Sequence, residues 1–258
     1  MGNLLTIHKN IRRLIFWKYI DYDDRDFLMR SFGFSGRYYD CELVEITAKK
    51  GYINRMKYLI KSSVRPTHNT YAAAASGGQI CMLQFLEENG CSQSKYACVE
   101  AAANGHLNTL IWLLSRGCHS DSWTVNRAAQ HGHLDIVEYL GVKSILDDRS
   151  FHDFAIQGGH IKIFEWLEKN KKLILNEVVF SEAAQYGHVP LLEWLLKRKC
   201  PVSPRACAMT VLHGHLDVLI WLRSKECPWD IWSFIYSGNR NRTEIRQWLL
   251  NNGCPRFS

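Results

Sequence analysis

The sequence predicts an all-α solenoid of about eight helix–turn–helix units, and three repeating features predict it. A glycine returns at intervals of 27 residues, with a single interval of 28. An aromatic residue followed by leucine stands seven residues after each glycine. A pair of alanines often stands a few residues before the glycine. The repeated glycines are Gly51, Gly78, Gly105, Gly132, Gly159, Gly187 and Gly214, and one further interval ends at Asn241.

Each unit of the repeat predicts two helices joined by a turn at the glycine. In the third unit, the leucines within residues 107–114 fall on one apolar stripe at helical spacing, which predicts the second helix. The alanine pair before the glycine predicts a first helix, because alanine favours helices and lets neighbours approach closely. Such a unit buries its apolar face only by stacking on copies of itself.

The repeat divides the chain into two predicted parts. Residues 39–258 form the solenoid, whose last unit is the most polar, as expected of an end that faces water. Residues 1–38 lie outside the repeat and predict a helical cap over the first unit.

Composition indicates a folded protein inside the cell. Apolar residues make up 47% of the chain and charged residues 22%, as in ordinary globular proteins. Because no apolar run has the roughly 18 residues of a membrane span and the N-terminus lacks a signal cleavage site, we expect a cytoplasmic protein with reduced cysteines. The net charge of +7 favours acidic partners, but lysines and arginines are scattered. We expect a monomer.

The pattern Ala-Ala-x-x-Gly-His-Leu, an apolar stripe and Leu-Leu-x-x-Gly-Cys, as at residues 101–118, resembles the ankyrin-repeat family. The resemblance covers roughly residues 40–258 and includes Gly-His in five units. Ankyrin units have about 33 residues. The 27-residue units here are short in the interval where the family forms a β-hairpin finger, which implies shortened or missing fingers.

A narrower resemblance concerns the Trp-Leu pairs and Cys-Pro-Trp-Asp at residues 227–230. These are similar to short ankyrin arrays encoded by large DNA viruses of protists. The resemblance implies a viral protein in the cytoplasm of the host cell, with a host protein as its partner.

The ankyrin resemblance also implies a function. Members of the family bind partner proteins on a concave face made by first helices and loops, to which the residues just before the turn glycine contribute. The ankyrin resemblance therefore implies that the chain is a non-catalytic scaffold for protein–protein interaction. Carried onto this chain, candidate partner-binding residues at these positions are Gln130, His131, Gln185, Tyr186 and His213.

Large aromatic residues supply further candidates. Tyr96, Trp123 and Trp232 occupy one equivalent position at the start of their first helices, and Trp229 stands beside the last. Such rings are common anchors of protein interfaces. The alternative is that they cover the seam between units where the fingers are missing.

Cysteine and histidine placement predicts no metal site, no cofactor and no catalytic residue. Five cysteines recur once per unit, and stacked helices about 8–10 Å apart hold such residues too far apart for a disulfide or zinc site. In ankyrins the turn histidine ties the turn through hydrogen bonds to the backbone. Because no phosphate loop, zinc-protease motif or nucleophile elbow occurs, we expect that the chain is not an enzyme.

Two other functions stay open. Residues 15–32 resemble the helical F-box segment without its leading Leu-Pro, which would make the chain a substrate adaptor of a ubiquitin ligase. A basic nucleic-acid binder is the other alternative, although we expect a protein partner. The first six residues also fit N-myristoylation at Gly2, a weak membrane anchor by itself.

Overall fold

A computed structural model describes residues 41–141, 149–238 and 242–256. These residues form eight pairs of α-helices with no strand among them, so the predicted all-α repeat solenoid is confirmed. The predicted cap, the F-box-like segment and Gly2 lie outside the described residues. The first helices are α1 (Cys41–Lys49), α3 (His68–Ser76), α5 (Ala97–Ala103), α7 (Ser122–Gln130), α9 (Arg149–Gly158), α11 (Glu177–Gln185), α13 (Arg205–His213) and α15 (Ile231–Tyr236). The second helices are α2 (Ile53–Lys61), α4 (Ile80–Glu88), α6 (Leu107–Ser115), α8 (Leu134–Gly141), α10 (Ile161–Lys169), α12 (Val189–Lys197), α14 (Leu216–Ser224) and α16 (Thr243–Asn251).

A glycine in the left-handed conformation joins the two helices of a pair. At the seven repeated glycines φ lies between 67° and 83°, a region that costs glycine little and other residues more. At Gly105 an added Cβ would also lie 2.6 Å from the His133 ring of the next pair. Both the backbone and the neighbouring side chain therefore require glycine there.

At three turns the histidine after the glycine ties one helix pair to the pair before it. Its Nε2 donates to the carbonyl oxygen of the residue two positions before the previous turn glycine. These bonds join His106 to Ser76 (3.1 Å), His133 to Ala103 (3.1 Å) and His188 to Gln157 (2.8 Å). Arg242 takes this place in the last pair and donates to the Leu212 carbonyl. Each such bond contributes about 1 kcal/mol.

Small buried residues let the first helices stack closely. The alanine pairs that face the neighbouring helices are fully buried: Ala74, Ala75, Ala101, Ala102, Ala128, Ala129, Ala183 and Ala184. Neighbouring first helices lie closer to each other than neighbouring second helices do, although α9 and α11 approach each other less closely than the rest. Closer spacing on one side bends a stack toward that side, so the first helices form the concave face.

The second helices carry larger side chains and charged contacts between pairs. The Arg198 guanidinium lies 3.5 Å from the ring centre of Trp194 and donates two hydrogen bonds to Glu168 of the preceding pair, at 2.8 and 2.7 Å. Arg116 and Glu87 form the equivalent pair at 2.8 Å. These contacts lie at or near the surface, so each stabilises the stack only modestly. Within the described ranges, no helix is long and apolar enough to cross a membrane.

Candidate partner-binding face

We call the outward side of the first helices, with the two residues before each turn glycine, the first-helix face. It is built from residues nine, five, two and one positions before the glycine. Because these positions recur every 27 or 28 residues, side chains far apart in sequence form continuous rows along the stack.

A groove of about 450 Å³ lies on the first-helix face across the first three pairs. Its middle is lined by the small residues Ala72, Ala73 and Ser76 of α3, because bulky side chains are missing there. Charged and aromatic side chains of α1, of α5 and of the residue just before α5 line its two sides. They are Glu45, Lys49, Tyr96 and Glu100. The groove offers a shallow apolar floor between polar walls.

Three of the aromatic candidates are half-exposed on this face. Tyr96 is 49% exposed, Trp123 45% and Trp232 52%. Trp123 meets Phe154 of the next pair edge to face, with ring centres 5.0 Å apart, and Trp232 lies 5.9 Å from Tyr236. Trp123 therefore covers part of the seam between two pairs and still offers about half of its surface to a partner.

Trp229 occupies a different environment from the other three aromatics. It is half-buried against the core and meets Trp248 at a ring-centre distance of 6.0 Å. The Arg223 guanidinium stacks 4.2 Å from its ring centre. Trp229 thus fills the seam at the C-terminal end of the stack.

Polar side chains form a row across the fourth and fifth pairs. The amide of Gln130 donates to Gln157 Oε1 at 3.0 Å, and Arg127 donates to Gln130. These bonds hold the Gln130 side chain along the stack axis. Gln185 is half-buried at the same position of the sixth pair.

The residues directly before the turn glycine are more exposed. His131 stacks 6.5 Å from His133, and desolvation together with the nearby Arg127 lowers the pKa of its imidazole. Tyr186 is 38% exposed and stacks on His188, and burial, followed by the charge of Glu182, raises the pKa of its phenol. His213 is exposed and its Nδ1 lies 3.1 Å from the Met209 carbonyl.

This face carries rings, amides and imidazoles fixed on rigid helices, a set suited to binding. Among the described residues, no three His, Cys, Asp or Glu side chains come together as a metal would require. The recurring cysteines mostly point into the protein. Cys91 and Cys200, for example, donate to the carbonyls of Thr67 and Asn176 at the start of the first helix of their own unit.

Comparisons with known proteins give a distant likeness. No protein-family model matches the sequence, and no curated protein matches it. One similar solved structure is the pentatricopeptide repeat protein PPR10 from maize, at 10% identity and a TM-score of 0.38, covering 84% of this chain and 40% of that one. PPR10 in complex with an 18-nt psaJ RNA element gives 12% identity and 0.35, covering 85% and 45%. This chain spans less than half the length of those proteins.

The sequence prediction included Tyr96 of the N-terminal groove but missed three other residues that line it. Lys49, Asn69 and Glu100 line the groove but were not among the predicted residues. Their register was readable, since Asn69 and Tyr96 both stand nine residues before a turn glycine. The signal was hidden because a polar residue replaces the aromatic in that unit.

Proposed function

We propose that the chain is a non-catalytic scaffold that binds a partner protein on the first-helix face. The observation that carries the proposal is that three rings at one equivalent position, Tyr96, Trp123 and Trp232, are each about half-exposed. Tyr96 and Trp123 belong to neighbouring pairs, and Trp232 belongs to the last pair. Rings on rigid helices lose little conformational entropy when they bind, and they contribute much of the energy of protein interfaces.

The finer assignment to ankyrin-type repeats belongs to the same proposal. It is supported by the left-handed glycine between the two helices and by the histidine that follows it and bonds to the preceding pair. A viral origin and a host partner rest on the sequence resemblance at residues 227–230 alone. The ligase-adaptor function rests on residues 15–32, so it stays a prediction of the sequence.

The test compares two sets of exposed aromatic residues. One variant replaces Trp123, Tyr186 and Trp232 on the first-helix face with alanine. The matched control replaces Tyr58 and Tyr139, which are 39% and 36% exposed on second helices. Tagged proteins would be compared by quantitative capture of partners from cells, with circular dichroism to show that both variants fold.

We expect the first-helix variant to lose at least about tenfold in capture of the wild-type partner, as for loss of interface anchors. The control should retain that partner. Equal capture by the wild type and the folded first-helix variant would overturn the proposal.

A basic surface favours nucleic acid as the second candidate. Lys169 and Lys171 at the end of α10 and Lys197 and Lys199 at the end of α12 are exposed in consecutive pairs. The contact between Arg198 and Glu168 joins these two pairs. Phosphate binding here would weaken steeply with added salt. Anisotropy titrations of a labelled single strand at several salt concentrations test it, and a flat salt dependence would exclude it.

A further inference from the structure

The fold places two positions of each unit together. The residue seven positions before the turn glycine lies beside the residue thirteen positions after it. In the fifth pair, for example, His152 Nε2 lies 2.9 Å from the Lys172 carbonyl oxygen. Two units carry cysteine at both positions: Cys98 and Cys118 in the third, and Cys207 and Cys227 in the seventh.

These two cysteine pairs differ in exposure. Cys207 is fully buried and Cys227 is 3% exposed, so the seventh-unit pair is closed to solvent. In the third unit Cys98 is 1% exposed, but Cys118 is partly exposed and its Sγ lies 3.7 Å from Gln93 Oε1. An oxidant in solution can therefore reach Cys118 but not Cys227.

The environment also makes Cys118 the more reactive thiol. A hydrogen bond from the Cys98 thiol lowers the pKa of Cys118 to about 7, although burial and the charge of Glu87 oppose this. Burial raises the pKa of Cys227. The thiolate is the nucleophile, and Cys118 is partly exposed whereas Cys227 is buried, so we expect Cys118 to react faster than Cys227.

We propose that Cys98 and Cys118 are an oxidisable dithiol, which hydroperoxides convert to a disulfide within the third unit. The Cys118 thiolate attacks a peroxide oxygen, an S–O bond forms, the O–O bond breaks, and the leaving oxygen takes a proton to become water or an alcohol. The Cys98 sulfur then attacks the sulfenic sulfur of Cys118. The S–S bond forms, the S–O bond breaks, and the hydroxide leaves as water with the Cys98 proton. The two thiols lose two electrons and the peroxide gains them.

The disulfide would join α5 to the loop after α6 and close a short loop in the chain. It would therefore raise the midpoint of thermal unfolding of the oxidised protein. α5 follows directly on Tyr96, so oxidation would also stiffen the third pair where it lines the groove.

The test treats the full chain with hydrogen peroxide at pH 7, blocks free thiols and maps disulfides by mass spectrometry. We expect a Cys98–Cys118 peptide pair that is two hydrogens lighter than its reduced form. Cys118→Ser should abolish it, and Cys98→Ser should leave Cys118 as a sulfenic acid that dimedone labels. Iodoacetamide at pH 7 should label Cys118 roughly tenfold faster than Cys227 in the untreated wild type.

Three other cysteines of the same chain serve as internal controls for this test. Cys207 and Cys227 share the spacing but are buried, and Cys81 is exposed but belongs to no such pair of positions. We expect all three to stay free of intramolecular disulfides under mild peroxide. Oxidation that leaves Cys98 and Cys118 unlinked, or links Cys207 to Cys227 equally well, would overturn the proposal. If Cys98→Ser does not fold, the wild-type map and Cys118→Ser still decide.

Discussion

The first helices and the second helices of the stack share one sequence period but differ in what their side chains do. In the first helices, buried alanines set a close spacing and the outward positions carry rings, amides and charges that change from unit to unit. In the second helices, leucines and aromatics recur at nearly every unit and arginine–glutamate contacts link neighbours. The first helices therefore leave their outward surface free to vary, whereas the second helices mainly fill the core and link neighbouring pairs.

The largest effect should come from the leucine core of the second helices. Leu113 is fully buried, and Leu113→Ala should lower the free energy of unfolding by about 3 kcal/mol through lost burial and a residual cavity. Leu114→Ala on the same helix, where the side chain is only partly buried, should cost less than about half of that. Urea unfolding measures the loss for each variant. Equal losses would contradict the conclusion that Leu113 belongs to the core and Leu114 to its edge.

An intermediate loss of stability is expected when a glycine is replaced by alanine, and it should be larger at a turn glycine than at a glycine that follows a second helix. Gly105→Ala should cost about 2 kcal/mol or more, since φ is +76° and the His133 ring blocks the new methyl. Gly117→Ala has φ of +86° but open space around it, so about 1 kcal/mol is expected from backbone strain alone. Thermal unfolding of the two variants compares them directly, and a costlier Gly117→Ala would show that the histidine contact matters little.

The smallest effect concerns the outer charged contacts, and it should depend on pH. Burial opposes ionisation of Glu87, but hydrogen bonds from Arg116, Gln93 and Tyr71 outweigh it and lower the pKa of this carboxyl below 4.5. A lowered folded-state pKa contributes stability above the unfolded-state value, and this is lost as the pH falls through the folded-state pKa. Glu87→Gln should therefore lower the unfolding midpoint at pH 7, and the difference should disappear in acid. The exposed neighbour Glu88→Gln should leave the midpoint unchanged, and a Glu87→Gln difference that persists in acid would exclude this explanation.

Much of the fold could be read from the period alone. The glycine spacing located the turns, and the paired alanines indicated which helices stack closely. Side-chain contacts between units could not be predicted from the sequence. Glu87 and Arg116, for example, are 29 positions apart, and whether they meet depends on the offset between stacked pairs. The contact between Cys98 and Cys118 was missed for a similar reason. It joins the first helix of a unit to the loop after the second helix of the same unit, not neighbours in the recurring cysteine row.

The candidate site was predicted less completely than the fold. The repeat register identified Tyr96, Trp123 and Trp232, but it gave no measure of how much of each ring the next pair covers. Trp229 is close to Trp232 in sequence, but it lies in the loop before α15 and packs on Trp248. Burial within a stack is a property of neighbouring units, so one unit's sequence does not determine it.

The most direct test of the first-helix face is a map of where a partner touches the solenoid. A photoreactive amino acid would replace Tyr96, Trp123, Tyr186 or Trp232 on the first helices and turns, and Tyr58 or Tyr139 on the second helices. After illumination in cells, crosslinks to one common protein are expected from the first set and not from the second. Crosslinks confined to the second helices would contradict the account.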